Sequence, residues 1–214
     1  MEMRSWLLSN LRLETPRLTL RLPSEGELDD LAQASFGRVL SEDEQDFMGP
    51  WTQLPDGQFQ RSFYQYHMSL RGSWSAQKWD LQFFIFDKES NEAIGCMGLS
   101  AEEFSLSRSV NTGSWILPEY RGRGLGKEAR SAVLHLAFNE LGAIEARSGA
   151  SPSNHSSLGV SHSLGYHDDG EGYHLLHGRR DETIRLLCKK ENFQPSCKVE
   201  VFGLDSCRDF FGGE

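Results

Sequence analysis

Residues 114–142 set a strand-like run, SWIL, against a helical one, with three alternating glycines between them. Gly122, Gly124 and Gly126 lie in RGRGLG, flanked by Arg121, Arg123 and Lys127. Beyond them Ala129, Ala132, Val133, Leu136, Ala137 and Leu141 recur at helical spacing, and Gly142 supplies a stop. The glycines therefore occupy a strand-to-helix turn, where they either relieve backbone strain or make room for a ligand.

A Walker loop needs GxxxxGK followed by Ser or Thr, but Lys127 precedes Glu128 and the glycine spacing differs. The dinucleotide fingerprint needs GxGxxG in the first strand–turn–helix unit, whereas this GxGxG follows several strands. A tight turn without a ligand stays open, although it needs fewer glycines and leaves the cations unexplained. A loop whose backbone N–H groups converge at a helix start binds a pyrophosphate, with the flanking cations adding charge. That reading accounts for glycines and cations together.

Elsewhere RLTLRLP (17–23) alternates as a half-buried strand does. SEGELDDLAQASF (24–36) opens with a capping-box pattern, and Phe59, Phe63, Tyr66 and Leu70 mark a helix within 57–71. WDLQFFIFD (79–87) and EAIGCMGLSAEEF (92–104) flank a hairpin-like KESNE, and RSVNTGSWIL (108–117) follows. AIEARSGA (143–150), GYHLLH (172–177) and ETIRLLCKK (182–190) complete the strands, with a helix inside 153–166. Antiparallel strands followed by a strand–helix–strand unit predict one mixed α/β domain over residues 1–190. Residues 191–214 are expected to form a C-terminal extension or an extra strand.

The 22 Lys and Arg against 31 Asp and Glu give a charge of −9, which disfavours a nucleic-acid partner. No apolar run approaches a membrane span, and the N-terminus lacks a signal-peptide pattern. Cys96, Cys188, Cys197 and Cys207 show no CxxC spacing, so they are expected to be reduced thiols in a cytoplasmic protein. A Cys197–Cys207 disulfide is the alternative. Five of seven histidines (His155, His162, His167, His174 and His177) cluster without metal-ligand spacing, so no metal is expected.

In RGRGLG the chain resembles the GCN5-related N-acetyltransferases (GNAT), whose acetyl-CoA loop reads R/Q-x-x-G-x-G/A. ETPRLTLRLPSEGELDDL, GSWILPEYRGRGLGKEA and SNHSSLGVSHSLGYHDDG resemble, in order, segments of the branch containing the ribosomal-protein N-terminal acetyltransferases. The resemblance implies a mostly antiparallel mixed sheet, splayed between two parallel strands (110–117 and 143–149) and flanked by helices. It further implies that Trp115, Ile116 and Leu117 bond the pantetheine arm through their backbone. Arg121, Gly122, Arg123, Gly124, Leu125, Gly126 and Lys127 would hold the pyrophosphate. Asn154 would contact coenzyme A, and Ser157 would be the acid for the leaving thiolate.

Two positions depart from the family pattern. Ser161 stands where many relatives carry an acidic Tyr, and Asn111 stands where they carry a basic Glu. Asp168, Asp169 and Glu171 are weak replacements for the base, and His167 and His174 are the histidines best placed beside the acceptor. Residues 38–78, with Asp46, Phe47, Met48, Trp51 and FYQYH, would border the acceptor opening. The implied function is transfer of acetyl from acetyl-CoA to a primary amine, on a protein N-terminus or a small molecule. The alternative is a non-catalytic acyl-CoA-binding protein of the same fold. The tail leaves a homodimer open.

Overall fold

The structure is a computed structural model that describes residues 4–39, 50–176 and 179–212. Leu13, Leu18 and Leu20 alternate inward along β1 (Arg12–Glu14) and β2 (Leu18–Arg21), which pair antiparallel. Ser24 then caps α1 (Glu25–Ser35): its hydroxyl accepts from Glu27 N at 3.3 Å, and Glu27 accepts from Ser24 N at 2.9 Å. α2 (Gln58–Gly72) buries Phe59 and Phe63 of the expected stripe, but the face then runs through His67 while Tyr66 is exposed.

β3 (Lys78–Asp87) and β4 (Ala93–Glu102) form the predicted hairpin, and a single turn, α3 (Phe104–Ser107), leads into β5 (Ser109–Ile116). The glycine loop opens α4 (Leu125–His135), and β6 (Glu145–Ala150) and α5 (His155–Ser163) follow. β7 (His167–Leu176) and β8 (Arg179–Lys189) come next, and β9 (Glu200–Phe202) closes the series.

All nine described strands join one sheet in the order β7-β8-β6-β5-β4-β3-β2-β1-β9. Among them one parallel ladder joins β5 to β6, from Ser109↔Glu145 to Asn111↔Arg147. Ser148 Oγ donates to Thr112 O at 3.0 Å, just beyond the last pair. Past that point β5 stays with β4 while β6 stays with β8, so the sheet opens between them. The mostly antiparallel mixed sheet implied by the resemblance is thus present.

One face of the sheet packs Leu13, Leu20, Phe83 and Met97 beneath α4; the other packs Phe84, Cys96 and Leu117 beneath α1 and α2. One strand starts well before its expected bound. β7 starts at His167 rather than Gly172, because DDGEG looks like a turn yet pairs with β8 around a register shift at Gly170, whose φ is +90°. The tail is tied in: β9 pairs with β1, and Phe211, fully buried, packs on Trp74 and Trp79 with ring centroids at 5.8 and 5.1 Å. All four cysteines are free thiols. Among the described residues no helix is long and apolar enough to cross a membrane.

Candidate functional site

The opening between β5 and β6 has α4 at its mouth. Gly122 and Gly124 take φ of +73° and +77°, a region that glycine enters without penalty, so the loop can turn sharply into the helix. No side chain caps α4, and its first internal bond is Glu128 N to Gly124 O. The N–H groups of Leu125, Gly126 and Lys127 therefore precede the hydrogen-bonded ladder, at the positive end of the helix dipole. A Cβ on Gly122 would meet no protein atom within 4 Å, so this surface is open to a ligand.

The loop is braced from below. Glu128, 5% exposed, accepts from Thr15 Oγ1 at 2.7 Å, Arg17 N at 2.9 Å and Arg17 Nε at 2.7 Å. Arg17 Nη1 in turn donates to Arg123 O at 2.9 Å, which ties the loop to β2's leading turn. The three expected cations do different work. Arg121 Nε donates to Ile116 O at 2.8 Å, so its guanidinium anchors the turn. Arg123 is exposed beside Tyr120, 5.7 Å from the ring centroid, and Lys127 is half-buried at the helix start.

Backbone alternation decides which groups of β5 face the opening. Leu117 donates its N–H to Ile94 O, and the Trp115 carbonyl lies directly over Gly95. Both residues therefore turn their backbone toward β4, and Ser114 and Ile116 turn theirs into the opening. Trp115 and Leu117, expected to bond the pantetheine arm, thus turn their polar groups away from the opening, because successive residues of a strand point them to opposite edges. Asn154 caps α5, accepting from Ser157 N at 3.0 Å. Ser157 lies one turn before Ser161, whose hydroxyl donates to Ser157 O at 2.9 Å.

On the opposite face of the sheet a cavity of about 440 Å³ is walled by Trp51, Phe63, Tyr66, His67, Gln82 and Trp115. Its rim belongs to the segment named above as bordering the acceptor, although Asp46, Phe47 and Met48 lie outside the described residues. Asp80 is not one of the walls but holds one of them: Gln82 Nε2 donates to Asp80 Oδ1 at 2.7 Å, and burial raises the Asp80 carboxyl above its ordinary range. The ladder aligns Asp80, Ser100 and Asn111 in one row across β3, β4 and β5. Sequence reasoning missed Asp80; the signal was a polar pair, Asp80 and Gln82, inside an otherwise apolar strand.

The weaker expected bases are engaged elsewhere. Asp169 accepts from Arg147 Nη1 at 3.1 Å and Asp168 sits 2.9 Å from His162 Nε2, while Glu171 and His167 are exposed on β7. The side chain of His174 and all of His177 lie outside the described residues. Among the described residues no three His, Cys, Asp or Glu side chains come together to hold a metal.

His67 is the buried histidine of this cavity, packed on Phe63 and Phe84 with centroids at 4.7 and 5.3 Å. Burial, reinforced by the Arg71 charge, lowers its pKa from 6.5 to about 4. The unfolded chain therefore takes up this proton first, and stability present above pH 6.5 is lost as the pH falls toward 4. The slope contributed is at most about 1.4 kcal/mol per pH unit. Urea unfolding at neutral pH and at about pH 5 should show a larger loss in wild type than in His67→Phe. Equal losses would contradict this assignment.

Comparison with known proteins adds the following. The acetyltransferase (GNAT) domain model matches residues 17–167. The ribosomal-protein-S5-alanine acetyltransferase of Vibrio fischeri superposes with a TM-score of 0.66 at 17% identity, covering 86% of this chain and 99% of that one. A GNAT-family acetyltransferase of Bacillus anthracis gives 0.66 at 15% identity, covering 84% and 99%. Mutant forms of the spermidine/spermine N-acetyltransferase of Vibrio cholerae give 0.59 at 18%, covering 81% and 94%. At these identities the superpositions speak for the fold.

Proposed function

The chain belongs to the GNAT acetyltransferase family, and from that premise we propose that it transfers an acetyl group from acetyl-CoA to an amine. The observation that carries this reading is a convergence on one opening. The free first turn of α4 and the inward-turned backbone of Ser114 and Ile116 border the same splay between β5 and β6.

The pyrophosphate would lie on the N–H groups from Gly122 to Lys127, with Arg123 and Lys127 adding charge. Ser114, and Ile116 through its N–H because Arg121 holds its carbonyl, would pair with the pantetheine amides. Asn154 and Ser157 would form the other wall, at the first turn of α5. Bound this way, the thioester reaches the vertex of the splay from one face, and the amine reaches it from the aromatic cavity on the other. Holding two reactants in line supplies much of the acceleration, on the order of 10⁵ M or more in effective concentration.

The amine must lose a proton to react. Asp80 is the carboxylate we assign to this, reached through solvent because the Asn111 amide accepts no proton, and burial suits it because a raised carboxyl is a stronger base. Asp80→Asn should lower kcat about 100-fold while the KM for acetyl-CoA stays within about threefold. Steady-state kinetics check this, and an unchanged kcat would remove Asp80 from the reaction. The aromatic walls favour an acceptor whose amine is carried on an apolar or aromatic group.

The proposal is tested by incubating the protein with isotopically labelled acetyl-CoA and a panel of free N-terminal peptides, polyamines and aromatic amines. Label appearing in one acceptor class, in proportion to enzyme, is the expected result. Label confined to acetyl-CoA across the whole panel, with the coenzyme bound, would favour the non-catalytic alternative.

A further inference from the structure

Behind the opening stands a buried cation. Arg130, on the sheet-facing side of α4, is 4% exposed. Its Nη1 donates to Ser161 Oγ at 2.6 Å and its Nη2 to Ser114 Oγ at 3.1 Å, while Nε has no partner. Among the described residues no carboxylate lies within ion-pair distance of it. Glu128, two residues earlier on the same helix, is committed to Arg17.

The other groups around Arg130 are neutral. Tyr166, from the turn after α5, bonds Thr112 Oγ1 of β5 at 2.9 Å, and burial pushes its phenol up to about 12. The Cys188 thiol of β8, beyond Tyr166, is pushed up to about 11 by burial. Ser157 and Ser161 of α5 and Ser114 of β5 do not titrate in the ordinary range. Burial weighs against the guanidinium's charge, yet arginine stays protonated in proteins. A lone buried charge is costly, and two hydroxyls and an orphaned N–H leave most of that cost uncompensated.

The place of this cation matters. Ser114 is three residues past the last parallel pair and turns its backbone into the opening. Ser161 belongs to the other wall, one turn from Ser157. Arg130 thus joins both walls at the base of the splay and holds positive charge there, with no described carboxylate to meet it.

We infer that Arg130 is the electrostatic partner of the departing sulfur, and this rests on the acetyl-CoA reading above. In the transfer the amine nitrogen forms a bond to the acetyl carbon, and the carbon–sulfur bond breaks. The electron pair of that bond stays on sulfur as a thiolate, and the nitrogen's surplus proton leaves to base or solvent. Arg130 donates no proton. Its field, with the Ser114 hydroxyl it orients, stabilises the thiolate as it forms, while the Ser161 hydroxyl stays donated to Ser157 O. It is a positioning residue acting through the Ser114 hydroxyl, and it serves a site where Ser161 carries no acid of its own.

The test uses the full-length protein with CoA itself, following the thiolate by its ultraviolet absorbance as pH is raised. Bound to wild type, the CoA thiol should titrate about one pH unit or more below the free thiol. In Arg130→Met the bound thiol should return to the free value or above it. CoA affinity at low pH, where the thiol is neutral, should meanwhile change by less than about threefold. Arg130→Lys should retain the lowered value, which a purely structural role for the side chain would not require.

Should Arg130→Met fail to fold, wild type alone decides, by comparing CoA with S-methyl-CoA. CoA should bind about tenfold more tightly or better once its free thiol has ionised than at low pH, while S-methyl-CoA should not. A bound thiol that titrates at or above the free value would overturn the inference while leaving coenzyme binding intact. No binding of CoA at any pH would overturn the acetyl-CoA reading and this inference with it.

Discussion

Gly124→Glu should weaken acetyl-CoA binding by about 100-fold or more, measured by titration calorimetry. Gly124 has φ +77°, so any side chain costs about 1–2 kcal/mol of left-handed strain. A carboxylate at the mouth of α4 also opposes the pyrophosphate, by roughly 1–4 kcal/mol at contact depending on solvent screening. Gly124→Ala carries the strain without the charge and should weaken binding by only about tenfold. The gap between the two variants measures the anion. Equal losses would mean that the loop matters for its shape alone.

Gly95→Ala should be among the most damaging single-methyl changes in the protein. An added Cβ would stand 2.2 Å from Trp115 O and 2.9 Å from Ile116 Cα, both backbone atoms of β5. Neither can rotate aside, so β5 must move. Overpacking of this kind costs about 3 kcal/mol, which lowers Tm by about 6–12 °C in a chain of this size. Because β5 moves where its backbone turns into the opening, acetyl-CoA affinity should fall with stability. Thermal unfolding and calorimetry on the same sample check both. A Tm within about 2 °C of wild type would show that the β4–β5 contact yields more easily than its geometry implies.

Much of the fold was legible from local chemistry. The Ser24–Glu27 cap, the Phe59–Phe63 stripe and the strand–glycine–helix turn each have a short-range cause, and each stands where its residues placed it. β7 was read short because Asp168, Asp169 and Gly170 carry turn chemistry, and only pairing with β8 makes them a strand. β9 was similarly ambiguous, since three residues become a strand only when β1 offers an edge.

The site divides along the same line. The turn of the glycine loop into α4 is contiguous in sequence and could be read directly. Which backbone groups of β5 face the opening depends on the phase set by Leu117 and Ile94, and no sequence pattern states that phase. Asp80 and Arg130, to which we assign roles, were missed because their surroundings are set across strands and helices. Asp80 shares a row with Asn111 two strands away, and Arg130 meets Ser114 and Ser161 from a third element. A charged residue on a helix ordinarily reads as solvated surface, and only packing shows that this one is not.

The central claim is that acetyl-CoA enters between β5 and β6 with its pyrophosphate on the glycine loop. It is tested most directly by following backbone amide resonances while acetyl-CoA is added. The account predicts the largest shifts at Gly122, Gly124, Gly126, Ser114 and Ile116, with smaller ones at Trp115 and Leu117. Shifts centred on another part of the molecule, or none at saturating acetyl-CoA, would contradict it.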